Sequence, residues 1–161
     1  MKNLIVIRHA KSSWDAPLKD IDRPLDNRGI KDAHRIALRA VKHLPKTFLM
    51  FSSTAKRASE TAIIFAQNFL YPIENIVFKE ELYTFDENNL ERIVKSLNNR
   101  YDNVILFGHN EAITNFVNKF GNIFIENVPT SGFVSLKFDS DNWQFIHKGK
   151  TIKTLFPKDL K

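Results

Sequence analysis

Three stretches of this 161-residue chain set chemically capable side chains directly after an apolar run. Leu4-Ile5-Val6-Ile7 leads into Arg8-His9, and Phe48-Leu49-Met50-Phe51 leads into Ser52-Ser53-Thr54 with Arg57 just beyond. Val104-Ile105-Leu106-Phe107 leads into Gly108-His109-Asn110. A neutral imidazole has a ring nitrogen free to attack an electrophile, and a guanidinium fork grips two phosphoryl oxygens at once. Two histidines and two arginines together therefore suit phosphoryl transfer through a phosphohistidine. Neighbouring cations keep the attacking imidazole neutral, while the arginines offset charge on the non-bridging oxygens, the role Mg²⁺ has in kinases. A second, protonated histidine adds a donor to the same oxygens. A carboxylic acid then protonates the leaving group and later activates water.

Arg57 adds its own argument. It falls in the opening turn of a predicted helix, where the partial positive charge of the helix end makes a cation mildly unfavourable. A bound anion removes that conflict, because the free backbone N–H groups and the guanidinium then share it. A metal is the competing use for a histidine pair. Yet there is no His-x-His and no His-Glu-x-x-His, and neither His9 nor His109 has a second histidine at ligand spacing. The reading is therefore metal-free and needs no cofactor. His34, His43 and His147 fall on predicted helix faces or an edge hairpin and read as ordinary surface residues.

These side chains can meet only if the elements beneath them converge. A short, unbroken apolar run reads as a strand buried on both faces, and ligands of open α/β sheets bind at the carboxyl ends of such strands. Ala33, Ile36, Ala37, Ala40, Val41 and Leu44 recur at helical spacing up to Pro45, and a second helix runs from about Ala55 to Leu70. Ile76-Val77-Phe78 is a third strand, Leu90, Ile93, Val94 and Leu97 mark a third helix, and Asn110 N-caps a fourth that ends at Gly121. Phe133 to Phe138 alternates apolar and polar residues, and after a turn a further strand starts at Trp143, an antiparallel hairpin on the sheet edge. The alternation predicts an α/β fold with helices on both faces of a mostly parallel sheet. Between Lys11 and Gly29 lies a long aperiodic loop, and long ordered loops are often functional.

The bulk numbers permit this and exclude other classes. One domain over residues 1–161 suits the length, and 43% hydrophobic residues with 14 phenylalanines supply its core. The chain has no cysteine, so disulfides, thiolate catalysis and cysteine-held metals are out. The net charge of +6 is compatible with anionic partners, but no basic block interleaved with aromatics suggests nucleic acid. Met1-Lys2-Asn3 leads straight into the first strand, and no run approaches the ~20 apolar residues of a membrane span. A cytoplasmic, monomeric protein without membrane contact is the default expectation.

The residues together resemble a known family. Arg8-His9-Ala10 is similar to the Arg-His-Gly signature of the histidine phosphatase superfamily, the phosphoglycerate mutase-like fold. Arg23-Pro24-Leu25 with Arg28-Gly29 resembles that family's loop into its first helix. Ser53-x-x-x-Arg57-Ala58-x-x-Thr61-Ala62 resembles its second phosphate-binding motif, and Gly108-His109-Asn110 its second histidine. The short chain and Lys11-Ser12-Ser13-Trp14 after Ala10 resemble the SixA-like phosphohistidine phosphatases. The resemblance implies a three-layer α/β/α sandwich, mostly parallel with an antiparallel edge, without metal or organic cofactor. It implies that His9 is the nucleophile, that Arg8, Arg57 and His109 complete a phosphate pocket with Ser12 and Asn110, and that Glu81, rather than the adjoining Glu80, is the proton donor. Ala10, in place of glycine, implies a negative φ there. The implied activity is hydrolysis of phosphohistidine on a partner protein. The alternatives are a phosphomonoester phosphatase or mutase acting on small molecules, and a non-catalytic module that grips phosphate or nucleic acid.

Overall fold

The computed structural model describes residues 1–160. Its strands are β1 (Lys2–Arg8), β2 (Leu49–Ser53), β3 (Val77–Lys79), β4 (Asn103–Gly108), β5 (Phe133–Phe138) and β6 (Lys150–Leu155). Its helices are α1 (Asn27–Ala40), α2 (Lys56–Phe69), α3 (Glu87–Lys95) and α4 (Ala112–Phe120). One sheet runs in the order β3-β2-β4-β1-β5-β6. The four strands from β3 to β1 are parallel, and β5 and β6 form the antiparallel edge.

The unbroken apolar runs follow from this arrangement. Leu4 and Val6 of β1 face one apolar cluster, shared with α3, α4 and Trp143, while Ile5 and Ile7 face another, shared with α1 and α2. Successive residues of a strand point to opposite faces, so a strand covered on both sides needs apolar residues at every position. The result is the three-layer α/β/α sandwich. On the α1–α2 side, Phe65 of α2 meets Phe107 of β4 edge to face with ring centroids 5.3 Å apart. Each such buried ring contributes about 2–3 kcal/mol by leaving water.

α1 starts at an N-cap, Asp26, whose carboxylate accepts from the Gly29 N–H at 2.7 Å. α2 lacks a side-chain cap of its own and ends at Leu70, which takes the left-handed conformation (φ 57°) that lets the last carbonyls be satisfied. The strand expected from Trp143 is absent at that point. Trp143–Phe145 forms a 3-10 turn instead, because Trp143 is fully buried, with its indole N–H donating to Tyr101 O at 2.8 Å and its backbone N–H to Asn99 Oδ1 at 2.7 Å. β6 starts only after Gly149, where a Cβ would stand 2.3 Å from Lys137 O. Among the described residues no helix is long and apolar enough to cross a membrane.

Candidate active site

Because β1, β2 and β4 run parallel, their carboxyl ends deliver His9, Ser53 and His109 to one rim of the sheet. The His9 N–H donates to Gly108 O at 3.0 Å, and the two imidazole centroids lie 5.2 Å apart. Both rings are buried.

The nucleophile candidate is held in one tautomer. His9 Nδ1 lies 2.7 Å from Ala10 O, and a carbonyl can only accept, so the proton sits on Nδ1 and Nε2 keeps its lone pair. Burial, then the nearby Arg57, Arg8 and Arg23 guanidinium groups, push the His9 pKa down to about 4, so the ring is neutral at pH 7. Thr61 fixes the segment behind it. Its hydroxyl accepts from the Ala10 N–H at 2.9 Å and donates to Arg57 O at 2.7 Å, one turn back along α2. Ala10 is not among the positive-φ residues, as its Cβ requires.

His109 lies beside Ser53, with Nε2 2.8 Å from Ser53 Oγ, which also accepts from the Ala55 N–H at 3.1 Å. Burial first, then His9 and Arg57, push its pKa down to about 3. The expected protonated donor is thus a neutral one, whose single ring proton sits on Nδ1 when the Ser53 hydroxyl donates to Nε2. Tyr83 and Phe85 pack edge-on against the ring at 5.3 and 5.5 Å.

Arg57 and Arg8 flank the pair. Arg57, almost fully buried on the first turn of α2, donates from Nη1 to the backbone O of Asp20 at 2.6 Å and from Nη2 to its carboxylate at 2.9 Å. Arg8 donates from Nη1 to Val128 O at 3.0 Å, and burial lowers its pKa. Arg8 Nε, Arg57 Nε, His109 Nδ1 and Ser131 Oγ are buried without a hydrogen-bond partner. Such groups are rare because each leaves a desolvation cost uncompensated; here three belong to side chains around the two imidazoles, and the fourth to a residue whose backbone N–H meets Arg8 O and His9 O. An oxyanion with several acceptor oxygens fits that donor set. Among the described residues no group of three or more potential metal ligands gathers.

Other expected site residues are placed differently. Glu81 does not join the cluster. It is exposed, 3.5 Å from the Lys79 ammonium, beside a surface hollow shared with Asn89 and Arg92. The 3-10 turn Glu80–Leu82 explains this: Leu82 is buried in the α3–α4 cluster, which anchors the turn and leaves Glu80 and Glu81 exposed. Asn110 acts on the backbone. Its Oδ1 accepts from the Thr114 N–H and hydroxyl at 3.1 and 2.9 Å, and its Nδ2 donates to Asn127 Oδ1 at 2.9 Å and Val128 O at 3.3 Å. Ser12 Oγ accepts from Arg23 Nη1 at 2.6 Å. Ser12 and Asn110 therefore position Arg23 and the Val128 carbonyl, which holds Arg8.

The carboxylate that reaches the cluster is Asp20, from the long loop. Besides Arg57 it accepts from Arg23 Nη2 at 3.2 Å and from the Tyr83 hydroxyl. Burial would raise its pKa, but the Tyr83, Arg57 and Arg23 contacts outweigh it and hold the carboxyl at about 2. Burial, then Asp20, push the Tyr83 hydroxyl upward. Arg23 is buried beneath the exposed Trp14, its guanidinium carbon 3.5 Å from the ring centroid. No sequence pattern singled out Asp20 or Tyr83; a lone aspartate in an aperiodic loop and a tyrosine after a turn carry no periodic signal.

Residues 4–83 match the profile of the histidine phosphatase superfamily (branch 1). An uncharacterized chloroplastic protein of Arabidopsis thaliana is 46% identical over 63 residues, and that match covers 37% of this chain and only 28% of the plant protein. A candidate phosphohistidine phosphatase SixA from Agrobacterium tumefaciens is 26% identical, with a TM-score of 0.79 over 96% of this chain and 97% of that one. The protein histidine phosphatase SixA, solved with tungstate, shares the fold over 99% of each chain, with a TM-score of 0.78 at 20% identity. The Arg8-His9, Ser53-to-Arg57 and Gly108-His109 segments thus converge on one sheet rim, residues 4–83 carry the histidine phosphatase superfamily profile, and the fold matches that of a SixA-type protein over 96% of the chain.

Proposed function

We propose that the protein is a phosphatase that moves the phosphoryl group of phosphohistidine on a partner protein to His9 and then to water, without a metal. The observation that carries this reading is the His9 Nδ1 contact with Ala10 O, which leaves Nε2 as the free nucleophilic nitrogen beside two arginines. His9 Nε2 attacks phosphorus, the substrate P–N bond breaks, and its electron pair returns to the leaving imidazole nitrogen. Water then attacks the phospho-His9 phosphorus, the P–Nε2 bond breaks with its electron pair returning to Nε2, and both hydrogens of the water leave with the phosphate as dihydrogen phosphate. Arg8, Arg57 and the His109 Nδ1–H offset charge on the non-bridging oxygens in both steps.

Two further observations support a phosphoramidate over an alkyl phosphate. The cluster offers no protonated carboxyl near pH 7, since Asp20 is held ionised and Glu81 lies apart. A departing imidazole nitrogen depends less on a proton donor than an alkoxide does. The rim is also open, with Trp14 and Phe85 exposed beside it, which suits a phosphate carried on a protein surface.

Phosphate release in excess EDTA from a phosphohistidine protein and from para-nitrophenyl phosphate, with His9→Ala alongside, tests this. The expected result is EDTA-resistant release, faster from the phosphohistidine protein and reduced at least a thousandfold by the substitution. Activity surviving in His9→Ala rules out the covalent step. A strong preference for a small phosphorylated metabolite would replace the proposed substrate and keep the chemistry.

A further inference from the structure

We infer that the Ser131 hydroxyl is an additional hydrogen-bond donor to the transferred phosphoryl group; this rests on the reaction proposed above.

Three observations converge on this residue. First, Ser131 is completely buried, yet its Oγ has no partner. A serine hydroxyl rotates to meet almost any acceptor within reach, so a partnerless buried one calls for a reason. Second, its backbone is strained. The Gly132 N–H donates to Pro129 O at 2.9 Å, closing a turn over Pro129-Thr130-Ser131-Gly132, and Ser131 occupies the third position with φ 63°. That position of a type II turn favours glycine, because a Cβ crowds the backbone at positive φ. Glycine is already used next door, where a Cβ on Gly132 would stand 2.7 Å from Pro129 O. A serine kept where the turn favours glycine implies a use for its side chain.

Third, the turn is fastened to the nucleophile. The Ser131 N–H is shared between Arg8 O at 3.1 Å and His9 O at 3.2 Å, and the Arg8 N–H donates to Gly132 O at 3.1 Å. The chain just ahead of the turn is held as well: Val128 N–H donates to Thr114 Oγ1 at 3.0 Å, and Val128 O receives Arg8 Nη1. The Ser131 backbone is therefore fixed relative to His9 before any substrate arrives, the preorganisation that oxyanion donors require, and its hydroxyl has only to turn toward the acceptor. It joins Arg8 Nε, Arg57 Nε and His109 Nδ1 as the fourth buried group without a partner. Its role is to donate its proton to a non-bridging oxygen as negative charge collects there.

The test uses the full chain, with para-nitrophenyl phosphate for turnover and inorganic phosphate for calorimetric binding. Ser131→Gly removes the hydroxyl and relieves the strain, whereas Ser131→Ala removes the hydroxyl and keeps the strain. The expected outcome is that kcat/KM and phosphate affinity both fall about tenfold to a hundredfold in each variant. Ser131→Gly should melt within a few degrees of the parent or above it. Phosphate affinity within twofold of the parent in either folded variant overturns the inference; should one variant fail to fold, the other decides. Binding needs no turnover, so a parent that binds phosphate but releases none would sink the proposed reaction and still decide the role of Ser131. A parent that binds no phosphate overturns both.

Discussion

Replacing Asp20 with asparagine should make inorganic phosphate bind more tightly. Arg57 gives both terminal nitrogens to Asp20, so an incoming phosphate meets a guanidinium already matched to a carboxylate and has a negative charge beside it. Asparagine keeps an acceptor oxygen for Arg57 and the Tyr83 hydroxyl, which share Oδ2, turns its amide NH2 toward Arg23 and deletes the charge. The size of the effect follows from the carboxyl itself. It is held at about 2 against an ordinary value of 3.8, and a gap of nearly two pH units corresponds to about 2.5 kcal/mol between the ionised group and its surroundings. The side chain is 45% exposed, and solvent screening reduces this to about 1 kcal/mol, or roughly a fivefold change in affinity. Calorimetric titration at pH 7 in low and high salt measures it: Asp20→Asn should tighten binding about fivefold, with the difference narrowing as salt screens the charge. Glu81→Gln is the control and should leave phosphate affinity unchanged, since that carboxylate faces Lys79 outside the cluster. Unchanged or weaker binding in Asp20→Asn would refute the reasoning and make Asp20 a support for Arg57 rather than a competitor of the ligand.

Acid should destabilise the fold before ordinary carboxylates titrate. His9 at about 4 and His109 at about 3 lie below the 6.5 of an unfolded histidine, so the native chain binds fewer protons and stability falls as pH drops below about 6.5. Unfolding free energies from urea titrations should fall by roughly 3–4 kcal/mol between pH 7 and pH 5, and a double His9→Gln, His109→Gln variant should lose much less; a flat parent profile would contradict the buried neutral pair. Gly29→Ala should lower Tm by about 5–10 °C and slow para-nitrophenyl phosphate turnover, because the new Cβ would stand 2.1 Å from Lys11 O and push back the segment that follows His9. An unshifted Tm would show that this contact relaxes freely.

Much of the framework was legible because burial on both faces leaves a mark in sequence. Leu4 to Ile7 and Val104 to Phe107 have no polar break, and that pattern places their ends on a common rim. Arg8, His9, Arg57 and His109 were legible for the same reason, being the first polar groups beyond buried strands or at a helix start. Glu81 was not, because the orientation of a 3-10 turn is decided by the one residue that finds the core, and here Leu82 does. Asp20 was hidden for the opposite reason: its importance comes from partners at positions 23, 57 and 83, which no local pattern connects to it. Ser131 is marked by a backbone angle, which residue type alone does not reveal. Trp143 read as the start of a strand because an aromatic after a turn is common there; burial turned it inward, and the pairing with β5 starts later, at Lys150.

The reversed direction of β5 has a consequence for how the protein becomes active. A parallel strand would bring its carboxyl end to the rim, but β5 brings its beginning, with Phe133 paired to Ile7, so the Ser131 turn meets the Arg8 and His9 carbonyls from a point more than a hundred residues downstream. During synthesis the strand carrying His9 emerges first, and its two neighbours in the sheet, β4 and β5, follow much later. Such distant pairings form slowly, because a long loop must close before any contact compensates for it. The rim that gathers Arg8, His9 and Ser131 is therefore complete only once β5 has paired with β1.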